Sequence, residues 1–230
     1  MDKQRAAALC GLAVALLWGL SFLSIKVSVA AVPPMTLAFA RFALAVAVLP
    51  LLALLAKEDL RIAFRDAPLL AAGGLVGVTF YFYCENNGVL LLSASESSLI
   101  VGTIPVLTVL AERIFLGTRL GHRIYAGAAL SVAGVALIVL RAEGPGGAAS
   151  SPAGYLYMAG AALSWVAYAF LTRPVASRYG KICVTFWQSL FGLAGCLPFA
   201  LAESGAWKAP SLAVALNVAY LGLLCSAAGY

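Results

Sequence analysis

Three charged residues lie inside long apolar runs: Lys26, Arg41 and Glu85. A charge held in hydrocarbon costs at least ~2.5 kcal/mol on insertion scales, so each needs a reason to be there. On helices that cross a bilayer, Lys26 falls about four residues from the outer end of the first span, Arg41 about six from the start of the second, and Glu85 about seven from the end of the third. At a rise of about 1.5 Å per residue these depths agree to within roughly 5 Å. One functional reading is a substrate or proton site. A zwitterionic amino acid would suit a cation for its carboxylate and a carboxylate for its amine. The structural reading is an ion pair that locks spans 1 to 3, with Lys26 snorkelling to the outer interface.

Polar and aromatic neighbours add to this set. Asn86 and Asn87 point about 100° apart on a helix, so one is expected to face a cavity and the other a neighbouring helix. Tyr81 and Tyr83 could wall the same cavity or pack as ordinary aromatics. Trp18 and Trp165 stand in similar local sequences, as cavity walls or as packing. Pro105 frees a backbone carbonyl in span 4 and kinks it, which exposes polar backbone where it lines a cavity. Glu112-Arg113 reads as an interfacial pair.

Other chemistries lack their residues. The single histidine, His122, sits in a basic loop, so no metal site is assigned. The five cysteines, Cys10, Cys84, Cys183, Cys196 and Cys225, have no C-x-x-C spacing and read as small buried hydrophobes. No G-x-x-x-x-G-K-[ST] loop occurs, so ATP is not hydrolysed by that mechanism. No Ser-His-Asp or Cys-His constellation is visible. The expectation is a non-enzyme without a cofactor, driven by an ion gradient or by exchange.

The elements that position these residues follow from composition. The chain has 230 residues, 63% hydrophobic and 10% charged, with mean hydropathy +0.99. Soluble domains are about 45–50% apolar and about 25% charged. The apolar runs are therefore read as membrane spans of ~20 residues. They fall at about 6–30, 35–56, 68–92, 97–116, 124–140, 155–172, 182–201 and from 212 onward. The N-terminal run is too long for a signal peptide and reads as an uncleaved first span. Gly11, Ala15 and Gly19 in span 1, and Gly73 and Gly77 in span 3, are spaced to admit a neighbouring helix. The stretch 142–154, rich in Gly, Pro, Ser and Ala, reads as a flexible linker.

The net charge of +6 belongs to short loops, where lipid headgroups and orientation explain it better than nucleic acid. With the N-terminus inside, the inner segments hold Lys3, Arg5, Lys57, Arg61, Arg65, Arg113, Arg119, Arg123, Arg173, Arg178 and Lys181. The outer segments hold only Arg141 and Lys208. A cytoplasmic N-terminus is expected.

An internal repeat runs through the chain. Ala15-Leu-Leu-Trp18 matches Ala162-Leu-Ser-Trp165, and Lys26 and Arg173 each follow their Trp by eight residues. Residues 35–50 lie over 183–198 at an offset of 148, both ending in proline, Pro50 and Pro198. A first unit of five spans starts the second unit on the opposite side, which gives inverted topology. The expected architecture is an all-α polytopic membrane protein of two inverted-topology helical repeats. Residues 1–141 carry five spans, and 155–230 carry three of an expected five. By the repeat logic the last two need roughly 60 further residues.

These residues resemble the EamA family of the drug/metabolite transporter superfamily, from Leu16 to Tyr230. The marks are Trp18-Gly19 to Lys26, Ala40-Arg41-Phe42, Ser93-Ala-Ser, Ile104-Pro105, Ile114-Phe-Leu-Gly117, and Gly127 to Gly134-Val135. Thr118, Glu96 and the absent last two helices depart from the pattern, which reads the chain as a C-terminally shortened member. The resemblance implies ten helices in two inverted repeats around a central cavity. It also implies export or exchange of a small polar metabolite such as an amino acid, in a bacterial-type cell membrane. The partners are then a small-molecule substrate and the lipid bilayer, with no nucleic acid and with a homo-oligomer left open. The substrate-binding set is Glu85, Asn86, Arg41, Lys26, Tyr81, Trp18 and Trp165, with Pro105 as a helix kink. The competing reading is an incomplete fragment or a membrane assembly partner without transport of its own.

Overall fold

A computed structural model describes residues 3–118, 121–141 and 151–228. The described residues form helices joined by short turns, with no strand among them. The elements are α1 (Lys3–Val29), α2 (Pro34–Ala56), α3 (Ala67–Gly74), a π-helical stretch (Leu75–Phe80), α4 (Tyr81–Leu91), α5 (Ala94–Val101), α6 (Ile104–Leu116), α7 (His122–Arg141), α8 (Pro152–Ala176), α9 (Lys181–Ala202), α10 (Leu212–Ala219) and a second π-helical stretch (Tyr220–Ala228). Five rods are long and apolar enough to cross a membrane: Pro34–Ala56, Phe64–Leu91, Ala94–Leu116, Pro152–Ala176 and Lys181–Ala202. Shorter apolar helices run over Val14–Val29 and Leu212–Ala228.

Local chemistry sets the ends. Pro34 opens α2 at a position where its missing N–H costs nothing. Lys57 closes that helix in the left-handed conformation, φ 56°, its N–H turned back to Ala53 and Leu54. A capping box opens α5: Ser93 Oγ accepts from Glu96 N at 3.2 Å, and Glu96 Oε2 accepts from Ser93 N at 2.9 Å. Gly117, φ 67°, ends α6.

Two expectations are corrected here. The span expected at 97–116 is two helices broken at Gly102-Thr103, not one kinked helix. Pro105 sits in the first turn of α6, where a missing donor is tolerated. The linker expected at 142–154 gives its last residues to α8, which starts at Pro152. Residues 142–150 lie outside the described residues.

Two long helices, α2 and α9, are held at both ends. The Glu203 carboxylate, just after α9, accepts from Met35 N (3.1 Å), Thr36 N (2.7 Å) and Thr36 Oγ1 (2.8 Å) at the start of α2. Glu58, just after α2, accepts from Cys183 N (2.8 Å) at the start of α9. The two helices therefore lie antiparallel, and each carboxylate meets the positive end of a helix dipole. At the Glu58 end, Asp66 accepts from Arg178 (2.5 Å) and Tyr179 (2.7 Å), and Trp187 donates to Leu60 O (2.7 Å). These bonds dock the connector before α3 onto the turn between α8 and α9.

Glycines allow the rod of α3, the first π stretch and α4 to sit close to α8 and α9. A Cβ on Gly74 would overlap the backbone of Gln188 and Gly192, and one on Gly77 would overlap the Tyr168 ring. The close approach expected at Gly73 and Gly77 is present, with the Gln188 side chain against Gly73. It is not present at Gly19, where a Cβ would meet nothing within 4 Å. Many leucines outside this core are exposed, among them Leu12, Leu16, Leu20, Leu51, Leu54 and Leu55, as a lipid-facing surface requires.

Candidate functional site

A cavity of about 440 Å³ lies between α1, α2, α4, the α5–α6 break, α8 and the second π stretch. That volume is within the range of small-molecule sites. Its walls include Trp18, Arg41, Tyr81, Glu85, Pro105 and Trp165. Residues distant in sequence and marked as candidates thus meet in one place. Phe22, Phe82, Val101 and Ile104 add apolar wall, and Ser21, Ser98 and Cys225 add small polar groups.

Glu85 is 4% exposed. It stands one helical turn after Tyr81, on the same face of α4. The Tyr81 hydroxyl donates to Glu85 Oε1 at 2.8 Å. Glu85 Oε2 is buried and has no protein partner.

Arg41, 3% exposed, comes from the second turn of α2. Its Nε donates to Ser226 Oγ at 3.0 Å. Its guanidinium carbon lies 4.3 Å from the Phe82 ring centroid and 5.7 Å from that of Phe42, a cation–π arrangement that offsets part of the desolvation cost. Arg41 Nη1 is buried without a protein partner.

The ion pairs among the described residues are Arg65–Asp66, Arg173–Glu112 and Arg178–Asp66. Arg41 and Glu85 are not paired with each other, so the structural ion pair expected as an alternative does not form. Leaving a buried polar group unmatched costs about 1–3 kcal/mol, and more for a charged one. Two such atoms of opposite charge belong to residues that line one cavity, and a zwitterion could satisfy both.

The aromatic walls are continuous. The Trp18 and Trp165 ring centroids lie 5.8 Å apart, Tyr81 and Trp165 5.0 Å, and Trp165 and Tyr168 5.2 Å. The two tryptophans that the repeat pairs in sequence therefore touch, and both line the cavity. Pro105 contributes through the break. Its missing N–H cannot bond the Val101 carbonyl, and Val101, Gly102, Ile104 and Pro105 all line the cavity.

Two expected ligands sit elsewhere. Lys26 Nζ donates to the carbonyls of Val89 (2.8 Å), Leu90 (3.1 Å) and Leu92 (2.6 Å), and so caps the C-terminal end of α4. It is not among the residues lining the cavity. Asn86 is fully buried and donates to Pro34 O at 2.7 Å, tying α4 to the start of α2. Asn87 donates to Tyr83 O on its own helix at 2.7 Å. Neither asparagine lines the cavity, against the expectation that one would. Tyr83 packs against Tyr157 and Phe199. Glu112 pairs with Arg173 at 3.4 Å rather than with its neighbour Arg113.

Sequence reasoning missed Ser226, Phe82, Ser21 and Cys225. Ser226 carried a faint signal as a hydroxyl in an otherwise apolar final run. Phe82 carried none, since nothing local marks an aromatic ring as the floor beneath a distant guanidinium.

A bundle of apolar helices around a charged, aromatic-walled cavity defines a multi-pass membrane protein. The chain belongs to the EamA-like transporter family, whose profile matches residues 5–140 and 152–230. It is 31% identical over 166 residues to a protein of Streptantibioticus cattleyicolor described as a "probable terminal-alkyne amino-acid exporter", covering 72% of this chain and 54% of that one. It is 30% identical over 227 residues to the aromatic amino acid exporter YddG of Ancylobacter novellus, covering 96% of this chain and 77% of that one. The chain thus spans about half the length of the first relative and about three quarters of the second. A solved crystal structure at 27% identity superposes with a TM-score of 0.69 over 98% of this chain and 76% of that chain.

Proposed function

We propose that this transporter exports a small amino acid with an apolar side chain, bound as a zwitterion between Arg41 and Glu85. One observation carries this reading: Arg41 Nη1 and Glu85 Oε2, both buried and without protein partners, belong to residues lining one cavity. The carboxylate of the substrate faces Arg41, its ammonium faces Glu85, and its side chain lies among Trp18, Trp165 and Phe22. The names of two relatives, a probable terminal-alkyne amino-acid exporter and an aromatic amino acid exporter, support the same class.

Alternating access across two inverted units is the mechanism. The π stretch Leu75–Phe80, moved by the repeat offset of 148, falls on 223–228, inside the second π stretch Tyr220–Ala228. Gly74 and Gly222 are related by the same offset, and each lies against the long helix of the other unit. Breaks in regular helix often mark functional positions. The distribution of Lys and Arg sets the N-terminus in the cytoplasm, with Lys26, Arg41 and Glu85 in the outer half of their spans.

Counterflow of labelled amino acids into proteoliposomes tests the site. Glu85→Gln is expected to abolish counterflow while the protein still inserts and remains monodisperse. Counterflow at the wild-type rate in that variant would remove Glu85 from the site.

A further inference from the structure

A second cavity, of about 360 Å³, lies apart from the charged one. It sits between the turn from α1 to α2, the connector from α9 to α10, and α10 itself. Ala31, Ala40 and Val218 are among its apolar walls, and Lys208 is the one charged residue among the described residues that line it. The lining residues are exposed or half-buried, so the cavity opens to its surroundings. Ala40 lies six residues into α2, so the cavity runs about 9 Å along that helix from its start. Trp207 and Lys208 stand at its other end, on the connector.

The matching place in the other half of the chain is filled. At the offset of 148, Ala31 lies over Tyr179, Thr36 over Val184, Lys208 over Leu60 and Val218 over Leu70. Leu70 and Val184 are buried there, Tyr179 packs against their cluster, and Trp187 donates to the Leu60 carbonyl at 2.7 Å. A tyrosine ring helps close that gap, whereas Ala31 leaves its own gap open. A neutral Leu60 stands at that gap, whereas Lys208 brings a cation to this one. An open apolar slot forgoes packing contacts that an apolar occupant restores.

We infer that this cavity holds an anionic phospholipid, with an acyl chain in the slot between α2 and α10 and the phosphate at Lys208. The slot begins at a connector between spans, where headgroups lie, and continues to a depth where acyl chains lie. Lys208 belongs to none of the ion pairs among the described residues. Glu203, earlier in the same stretch, accepts from Met35 N, Thr36 N and Thr36 Oγ1, and it does not line the cavity. The Trp207 indole N–H donates to Thr36 Oγ1 at 2.8 Å, which fixes the ring beside the lysine. An indole at that level is suited to the membrane interface, apolar in body and polar at one edge. The lining offers a cation and an apolar slot but no carboxylate for an ammonium group. It therefore suits a lipid anion and not the zwitterion assigned to the other cavity, and it stands independently of that assignment.

Trp207 reports the occupant. The full chain is reconstituted into phosphatidylcholine vesicles carrying either brominated phosphatidylglycerol or brominated phosphatidylcholine. Tryptophan fluorescence is followed as the brominated fraction rises, and the part due to Trp207 is the difference from Trp207→Phe. Phosphatidylglycerol is expected to quench that part with about fivefold higher apparent affinity, the gain of one lysine near an anionic headgroup. Lys208→Gln is expected to abolish the preference. Ala31→Tyr, which supplies the side chain found at the matching position, is expected to reduce quenching by both lipids. Equal quenching of wild-type Trp207 by the two lipids overturns the inference, as does an unchanged preference in Lys208→Gln. Unchanged quenching in a folded Ala31→Tyr protein also overturns it, since the lipid would then reach Trp207 from the bulk bilayer. Lys208 is exposed, so its variant decides the matter even where Ala31→Tyr fails to fold.

Discussion

Helices α2 and α9 match in sequence at an offset of 148 and make different contacts. At the offset of 148, Met35 lies over Cys183, Leu44 over Gly192 and Pro50 over Pro198. Each helix has its start bonded by a carboxylate from the far end of the other, Glu203 for α2 and Glu58 for α9. Each is approached by a glycine, Gly222 within the second π-helical stretch for α2 and Gly74 just before the first for α9. The frame is thus close to symmetric. The chemistry is not: Arg41 in α2 lies over Ser189 in α9. Arg41 lines the cavity and has one buried nitrogen without a hydrogen-bond partner. Beside Ser189, Gln188 is closed off, accepting from Tyr168 (3.0 Å) and donating to Thr172 (2.9 Å). Of the two matched helices, α2 thus presents a charged residue to the cavity, while α9 presents a hydrogen-bonded, neutral interface. The packing contacts recur at the repeat offset, while the unpartnered charged groups among the described residues lie on one side only.

The sharpest way to break this comparison is to remove the unequal residues. Arg41→Ala should weaken amino-acid binding by roughly 10- to 150-fold, the equivalent of a lost charged hydrogen bond of ~1.5–3 kcal/mol. Ser189→Ala should change it less than twofold, both read by calorimetry. Equal effects would mean that the asymmetry is not functional.

The shared frame predicts the opposite pattern. Gly74→Ala and Gly222→Ala each push a Cβ into backbone, at Gln188 and Gly192 in one case and at Arg41 in the other. Each should destabilise by ~1–3 kcal/mol, as overpacking does. Thermal unfolding in detergent would read similar drops for the two. A silent change at one would break the symmetry of the frame. The end bonds come next. Glu203→Gln should cost ~1–2 kcal/mol and Glu58→Gln less, since Glu203 caps with three bonds and Glu58 with one. The smallest effect belongs to Lys26→Met, which removes a helix C-cap worth ~0.5–1 kcal/mol. Its melting temperature should fall by a few degrees while its affinity stays within twofold of wild type. A tenfold loss of affinity would return Lys26 to the substrate.

Much of this was legible in the sequence, for physical reasons. Apolar runs of span length have few alternatives, so the helical rods were readable. Charges within them are costly, so Arg41 and Glu85 stood out, and both line the cavity. Lys26 stood out for the same reason, yet its cost is met by backbone carbonyls at the end of α4. A long flexible side chain near a span end has that option, and sequence cannot show which option is taken. Asn86 shows the same limit, since an amide serves a neighbouring carbonyl as readily as a ligand. The α5–α6 break was read only as a kink, because Pro105 disrupts a helix either way and Gly102 decides where. Ser226 and Phe82 act through tertiary contact alone, with partners 185 and 41 residues away in sequence.

Binding of L-phenylalanine and its two blocked forms tests the two-pole site most directly. Wild-type protein should bind the free amino acid at least tenfold more tightly than either the methyl ester or the N-acetyl derivative. Arg41→Gln should lose the discrimination against the ester, and Glu85→Gln the discrimination against the N-acetyl form. Equal binding of all three ligands by the wild-type protein would contradict recognition of a zwitterion between Arg41 and Glu85.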